Sequence, residues 1–157
     1  MTIQTENLFW HFSVAVYSAP QVADECISLQ DRFGVDVNVL LFAAWIGVDR
    51  RLILTADHLA MVDAAVSEWQ DSVIVPVRAV RRRLKTMEPS VYEKAKAIEL
   101  ELEQIEQARL YHLASQLHGQ EAVAAEQAIR ANISLCLARK VLGAVPEALI
   151  AAAIAYC

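Results

Sequence analysis

Residues 29–47 read Leu29-Gln30-Asp31-Arg32-Phe33-Gly34-Val35-Asp36-Val37-Asn38-Val39-Leu40-Leu41-Phe42-Ala43-Ala44-Trp45-Ile46-Gly47. Gly34 is typical of the left-handed residue that ends one helix, and Asp36 is typical of the N-cap that starts the next. The helix predicted over 37–46 is apolar on every side, so it must be buried on every side. We therefore expect it at the centre of the fold, ending at Gly47. Asp36 and Asn38 then lie at the edge of the core, where polar groups need partners or form a site.

The remaining sequence also favours helices. Only four glycines and four prolines interrupt the chain, and no segment alternates apolar and polar residues as a strand would. Asn7 and Thr55 are typical N-caps, and Ser90 with Glu93 has the spacing of a capping box. Further helices are expected over residues 7–17, 20–33, 56–70, 75–87, 90–117 and 120–142, followed by a short alanine-rich tail helix.

These elements predict an all-α fold. We expect a single domain over residues 1–157, built as a bundle of six to eight helices around the apolar helix at about 37–46. Most aromatic residues precede residue 70, so the first half is expected to hold the specifically packed core. The second half is expected to form a long helical hairpin that could serve as an interface.

The amino-acid composition and the net charge favour some classes of protein and disfavour others. Hydrophobic residues make up 56% of the 157 residues, which argues against a disordered chain. A net charge of −5 is unfavourable for a general nucleic-acid binder. Cys26, Cys136 and Cys157 are odd in number and far apart, which favours free thiols in a reducing compartment. No apolar run reaches the length of a membrane span, and no secretory signal is recognised, so we expect a cytoplasmic protein.

Several of these residues carry a family resemblance. They are Trp10, Tyr17, the run Leu29-Gln30-Asp31, the spaced set Gly34-x-Asp36-x-Asn38-x-Leu40-Leu41 and Trp45. In these residues the chain resembles an uncharacterised bacterial domain-of-unknown-function family of small helical proteins. The resemblance covers residues 7–115 and leaves 119–157 as a variable helical C-terminal part. It implies a cytosolic bacterial protein of about this size and no activity, so no catalytic residue is carried over.

The first candidate site is a polar cluster with two tryptophans: Gln30, Asp31, Arg32, Asp36, Asn38, Trp10 and Trp45. Backbone N–H groups at a helix N-terminus can bind an anion, but Asp36 as N-cap would occupy them and repel an anion. Capping and turn chemistry alone explains Gly34 and Asp36, and Asp31 with Arg32 could lock two helices together. A small-molecule site and a purely structural role both remain open.

The second candidate is a basic strip of five positive charges in eight residues: Arg78, Arg81, Arg82, Arg83 and Lys85. Positions 78, 82 and 85 share one helix face. Such a strip is typical of a surface for phosphates, RNA or an acidic partner. Internal pairing is the alternative, because the next predicted helix carries Glu93, Glu99, Glu101, Glu103 and Glu106.

The sequence does not indicate an enzyme, a metal or a cofactor. His11, His58, His112 and His118 are scattered, without the spacing of a helical metal site. Cys26 lies in an apolar stripe, where cysteine behaves as a small hydrophobe. Neither a nucleophile elbow nor a phosphate-binding glycine loop is present. We therefore predict no catalytic residue, no metal site and no cofactor.

We favour a non-enzymatic cytoplasmic interaction or adaptor protein with an unknown protein partner, which could also self-associate through its C-terminal helices. An exposed Trp10 would suit such a contact, as aromatic anchors do. The alternative is a small-molecule or enzymatic site at an aromatic–polar junction formed by Trp10, His11, Asp31, Asp36, Asn38 and Trp45. A third hypothesis is an RNA- or ribosome-associated protein that uses the strip from Arg78 to Lys85.

Overall fold

The computed structural model describes residues 2–140 and 143–157. Its α-helices are α1 (Leu8–Tyr17), α2 (Val22–Phe33), α3 (Val37–Arg50), α4 (Ala56–Trp69), α5 (Val75–Met87), α6 (Pro89–Ala114), α7 (Ala125–Ala138) and α8 (Glu147–Tyr156). A π-helical turn, Gln70–Ile74, joins α4 to α5 without a break. The predicted all-α fold is confirmed, and the one strand-like pairing in the described ranges is an isolated bridge between Leu52 and Glu121. None of the described helices is long and apolar enough to cross a membrane.

Helix α3 lies at the centre, as predicted. All residues from Asn38 to Gly47 are buried, and the helix contacts α1, α2, α6, α7 and α8. Both expected boundary residues at its start are confirmed. Gly34 has a φ of 65° and caps α2. Asp36 Oδ1 accepts the backbone N–H groups of Asn38 and Val39 at 2.9 and 3.3 Å.

Gly47 does not end α3, so that prediction is wrong. The helix continues to Arg50, and Arg51 ends it with a φ of 52°. Glycine is needed at position 47 because α7 approaches closely: a Cβ there would lie 2.8 Å from the backbone nitrogen of Ile129. A glycine that admits a neighbouring helix cannot be told from a helix stop by its local sequence.

Two predicted helix starts are also wrong. Helix α6 begins at a proline, one residue before the expected capping box, and Ser90 Oγ donates to the Glu88 carboxylate at 2.6 Å instead of capping the helix. Helix α2 begins at Val22 rather than Pro20, because Gln21 has a left-handed φ of 70° between them. In each case the proline lies at or just before the start of the helix.

The second half is arranged differently from the expected hairpin. Helix α7 covers only part of the predicted 120–142, because the residues before it pair with the segment after α3. The N–H of Ile53 donates to the carbonyl of Gln120 at 2.9 Å, and the N–H of Ala122 donates to the carbonyl of Arg51 at 2.8 Å. Positions 141 and 142 lie outside the described residues. Helix α7 packs against α3, and α6 packs against α5 and α4.

Helix α8 is held by a side chain from α2. The Glu25 carboxylate accepts the N–H groups of Ala148 and Leu149 at 3.0 and 2.9 Å. A carboxylate at a helix N-terminus satisfies free donors and interacts favourably with the helix dipole. This contact joins the C-terminal helix to the first half of the chain.

Gly47→Ala is expected to lower the free energy of unfolding by about 1–3 kcal/mol, because the added methyl group overpacks the contact with α7. Chemical denaturation followed by circular dichroism measures the change. The matched control is Ala60→Gly on the exposed face of α4, which should cost about 1 kcal/mol because alanine is the better helix former. A Gly47→Ala protein as stable as the parent would contradict the close approach.

Candidate functional site

A cleft of about 650 Å³ opens between α1, α2, the start of α3, α5 and α6, and we call it the polar cleft. Its mouth is apolar and exposed, with Val14 and Tyr17 of α1, Ile27 of α2 and Leu100 of α6. Its inner part is polar. Helix α6 lines the cleft through residues at helical spacing: Glu93 and Lys96 are exposed at its rim, and Glu99, Glu103 and Gln107 lie further in.

The polar cleft brings together parts of the two candidate sites predicted from the sequence. The first candidate site contributes Trp10, Gln30, Asp36 and Asn38 to its lining, and the basic strip contributes Arg78 and Arg81. The sequence had separated these residues by some forty positions between Asn38 and Arg78, and the packing of α5 against α6 closes that distance. The two candidates thus become one site in the fold.

Trp45 lies away from the polar cleft. It is buried in an aromatic cluster, with its ring centroid 5.4 Å from Phe9 and 5.7 Å from Tyr111. The expected junction of Trp10 with Trp45 therefore does not form one surface. Phe9 and Phe12 point into the core, and the half-buried Trp10 faces the cleft.

Part of the basic strip is buried and paired. Arg78 is only 8% exposed, and it donates from Nε to Glu99 at 2.9 Å and from Nη2 to Glu103 at 3.0 Å. Arg81 also donates to Glu99. Burial opposes the charge of Arg78, but the bonds to the two carboxylates outweigh it and leave the pKa of Arg78 raised. The neighbouring Val80 is exposed.

The other candidate residues lie on the outer surface. Arg82 donates to Asp31 at 2.6 Å, which joins α5 to α2. The Arg32 guanidinium lies 5.3 Å from the centroid of the Phe33 ring. Arg83 and Lys85 are exposed. Exposed pairs of this kind contribute little to stability.

A hydrogen-bond network links α3 to α6 at the floor of the cleft. Asn38 Nδ2 donates to Glu106 Oε2 at 2.8 Å, and Gln107 Nε2 donates to Asn38 Oδ1 at 2.9 Å. Glu106 Oε1 has no hydrogen-bond partner within the described residues, and the carboxyl group of Asp36 lies near this side chain. We call Asp36 and Glu106 the carboxyl pair.

The carboxyl group of Glu106 has a raised pKa. This side chain is fully buried, and burial is the largest cause that raises its pKa. The neighbouring carboxyl group of Asp36 and the negative charge of Glu103 raise the pKa further, and the bond from Asn38 opposes them only in part. The pKa of Glu106 is raised to about 10. Glu106 is therefore a neutral hydrogen-bond donor at neutral pH.

The surroundings of the pair are also short of positive charge. Burial raises the pKa of Glu103, and the charge of Arg78 offsets this only partly. Burial likewise raises the pKa of Tyr17 to about 12, with the charges of Cys26 and Glu103 adding to it. A raised pKa of an acid indicates a site where added negative charge is unfavourable.

Two buried polar atoms that line the cleft have no hydrogen-bond partner within the described part of the chain: Ser13 Oγ and Gln107 Oε1. Each residue is only 3% exposed. Leaving a buried polar atom unpaired costs about 1–3 kcal/mol, so such atoms are few in native proteins and call for an explanation. Both can serve a bound molecule, the hydroxyl as donor or acceptor and the amide oxygen as acceptor.

Sequence reasoning missed Ser13 and Gln107, and it expected Glu106 only as a partner of the basic strip. A signal was present in α6. The buried stripe formed by Leu117, Leu113 and Leu110 continues toward the N-terminus as Glu106, at the same helical spacing. A carboxyl group on the buried stripe of a helix requires a polar environment in the fold.

The lining of the cleft is suited to binding. Among residues 2–140 and 143–157, no three His, Cys, Asp or Glu side chains form a group that could hold a metal ion. Burial raises the pKa of Cys26 to about 12, so its thiol is not a reactive thiolate at neutral pH. Of the acidic groups further inside the cleft, Glu99 and Glu103 bond to arginines and Asp36 caps α3.

A second cavity, of about 750 Å³, lies between the N-terminal residues, α3, α4 and α6, and includes Trp45, Tyr111 and His112. Its wall differs from that of the polar cleft. Of the described residues that line it, none has a buried side-chain oxygen or nitrogen without a partner. The second cavity therefore has fewer polar groups available to a ligand than the polar cleft has.

Comparison with known proteins gives one match. The family model of proteins of unknown function called DUF2390 matches residues 8–110, which is more than half of the 157-residue chain. The matched region contains every residue of the polar cleft named above. No curated protein and no solved structure matches the chain.

Glu106→Gln is expected to stabilise the fold increasingly as the pH rises. In the parent, the folded state keeps the Glu106 proton up to about pH 10, whereas an ordinary glutamate loses it near 4.5, so unfolding releases a proton between these values. Stability from this group is full at acid pH and falls by up to roughly 1.4 kcal/mol per pH unit through that window. A glutamine amide oxygen can accept the hydrogen bond from Asn38 without titrating.

Urea denaturation at several pH values between about 5 and 9 measures the difference between Glu106→Gln and the parent. Glu101→Gln, an exposed change of the same chemistry on the same helix, is the control and should leave the pH dependence unaltered. A Glu106→Gln protein whose stability follows the parent at every pH would show that Glu106 is ionised in the fold.

Proposed function

The chain belongs to the DUF2390 family of proteins of unknown function, and from the polar cleft we propose that it binds a small organic molecule. The ligand has a polar head that donates hydrogen bonds and an apolar body. The head lies against the inner wall of the cleft, near Ser13 and Gln107. The body lies against the side chains nearer the mouth, among them Trp10, Ile27 and Leu100.

The size and lining of the cleft support this function. Ligand pockets have volumes of roughly 300–1,000 Å³ and combine apolar walls with a few placed polar groups. The polar cleft has about 650 Å³ and divides into an apolar mouth and a polar interior. Its interior groups are held by the network of Asn38, Glu106 and Gln107, which keeps them in position before a ligand arrives.

The proposal depends on two buried polar atoms, Ser13 Oγ and Gln107 Oε1. Neither has a hydrogen-bond partner among the residues that the structure describes. Leaving these two atoms without hydrogen bonds lowers the stability of the fold, so their presence calls for a reason other than folding. Both face one cleft from different helices, α1 and α6. A head group that bonds to both would recover this cost in the complex.

Partner binding is a second candidate function, and it retains the hypothesis of an interaction or adaptor protein. Large apolar side chains are exposed near the turn between α5 and α6, with Val80 at 54%, Met87 at 68% and Val91 at 38%. Exposed apolar groups of this size are typical of contact surfaces when they cluster. RNA binding has less support, because Arg78, Arg81 and Arg82 already bond to carboxylates.

A cytoplasmic location is part of the proposal. Cys26 and Cys136 are buried and Cys157 is exposed, and all three are free thiols in the described structure. Free thiols, one of them exposed, suit a reducing compartment.

Ser13→Ala is expected to weaken ligand binding without weakening the fold. The Ser13 hydroxyl makes no bond inside the described chain, so its removal should leave the free energy of unfolding unchanged or raise it. Loss of one hydrogen bond to the ligand should weaken binding by roughly 3- to 10-fold. Ser134→Ala on the exposed face of α7, outside the cleft, is the matched control and should change neither quantity.

Suitable probes are 2-phenylethanol, 2-phenylethylguanidinium and phenylacetate, which share an aromatic body and differ in the head. Their binding is measured from NMR shifts of the Trp10 indole, with Trp45 and Trp69 as internal references outside the cleft. The proposal predicts that at least one donor-bearing probe shifts Trp10 selectively. Shifts confined to Trp45 or Trp69, or no shifts with any probe, would contradict it.

A further inference from the structure

We infer that the hairpin formed by α5 and the first part of α6, residues 75–98, binds the surface of an anionic phospholipid bilayer. We call this hairpin the arm. The residues that carry the inference lie outside the polar cleft, so it does not rest on the proposed small-molecule function. It gives the second candidate function, partner binding, a partner of stated chemistry: negatively charged headgroups over an apolar interior.

The arm has an outer surface that the other helices leave uncovered. Helix α5 packs mainly against α6 and the π-helical turn, so its opposite face has no neighbouring helix. Two contacts set the register of the hairpin. Arg78 bonds to Glu99, and Lys85 Nζ lies 6.0 Å from the centroid of the Tyr92 ring. The two helices therefore run side by side as one unit.

Each helix of the arm has a face on which one basic residue lies between two apolar residues, at the spacing i, i+3 and i+7. We call these six residues the outer set. They are Val80, Arg83 and Met87 on α5, and Val91, Lys94 and Ile98 on α6. All six are exposed, up to 68% for Met87, and none lines either cavity. The register of the hairpin places Arg83 and Lys94 at the same level.

The charge of the arm is opposite to that of the rest of the chain. Residues 75–98 include seven lysine and arginine residues and two glutamates, whereas the whole chain has a net charge of −5. Three of the arginines pair with acidic side chains, but Arg83 and Lys94 form no ion pair within the described part of the chain. Acidic groups further than roughly 8 Å away are largely screened at physiological salt, so the arm presents a locally positive surface.

A bilayer fits the outer set better than a protein or RNA does. Charged residues are depleted at the core of protein interfaces, but here a basic residue lies between the apolar residues of each helix. At a bilayer, apolar side chains enter the boundary of the acyl chains, while long basic side chains extend to the phosphates. RNA binding typically uses aromatic side chains that stack on bases, and none of the outer set is aromatic.

Flotation of the full chain with phospholipid vesicles tests the inference. The anionic vesicles contain phosphatidylcholine with about one third phosphatidylglycerol, and the neutral vesicles contain phosphatidylcholine alone. We expect binding to the anionic vesicles and at least roughly tenfold weaker binding to the neutral ones. Binding should be lost as the salt concentration rises from roughly 0.05 to 0.5 M, because salt screens the attraction.

Two variants separate the electrostatic and the apolar contributions. Arg83→Gln combined with Lys94→Gln should weaken binding by roughly 25-fold, at about fivefold for each lost cation. Met87→Ser should weaken binding by roughly threefold to tenfold without altering its salt dependence. These side chains are exposed, so unfolding followed by circular dichroism should match that of the parent.

Matched control variants lie outside the arm. Arg130→Gln combined with Lys140→Gln removes the same charge from the surface of the protein. Val123→Ser removes an apolar side chain that is 90% exposed. Both controls should bind the anionic vesicles as the parent does, whereas a general effect of net charge or exposed apolar area would weaken their binding too.

Three results would overturn the inference: no binding to either vesicle, equal binding to both, or parental binding by the double glutamine variant. A lipid-free dimer that Met87→Ser dissociates in analytical ultracentrifugation would assign the outer set to a second copy of the chain instead. Binding of poly(U) that the double glutamine variant loses, without vesicle binding, would assign it to RNA. The small-molecule site is tested separately by the cleft probes, so its outcome is independent of these.

Discussion

The burial of α3 on every side is the constraint on which the rest of the structure depends. A helix with no polar face cannot lie at the surface, so other helices must surround it, and α1, α2, α6, α7 and α8 all contact it. One neighbour approaches so closely that only glycine fits at position 47. The polar start of the same helix must still reach solvent or partners. Its place in the bundle therefore determines where polar groups can gather.

The polar cleft follows from that placement. Asp36 caps α3, and the same carboxylate faces Glu106 of α6, so one side chain serves both helix initiation and the charge of the cleft. Along α6, the stripe that packs on the core changes from leucine to glutamate as it passes the start of α3. The paired arginines of α5 neutralise only part of this charge. The result is a pocket with an apolar mouth and an acidic interior.

Features that depend on neighbours in the sequence could be predicted from it, and features that depend on distant contacts could not. The caps Asn7, Asp36 and Thr55 and the left-handed Gly34 follow from side-chain and backbone chemistry within a few residues. The role of Gly47 depends on a helix some eighty residues away. In the site, Asp36 and Arg78 were recognised separately, but their common cleft required the packing of five helices. Ser13 gave no signal, because a serine on a helix is ordinary until its surroundings are known.

The π-helical turn at Gln70–Ile74 has a consequence for the orientation of α5. A π turn bonds i to i+5 and accommodates one residue more than an α turn, without interrupting the helix. Each residue rotates an α-helix by about 100°. Without the extra residue, the face of α5 that carries Arg78 and Arg81 would be rotated away from Glu99 and Glu103. The one extra residue of the π turn thus sets the rotation of α5 about its axis, so that Arg78 and Arg81 face the cleft.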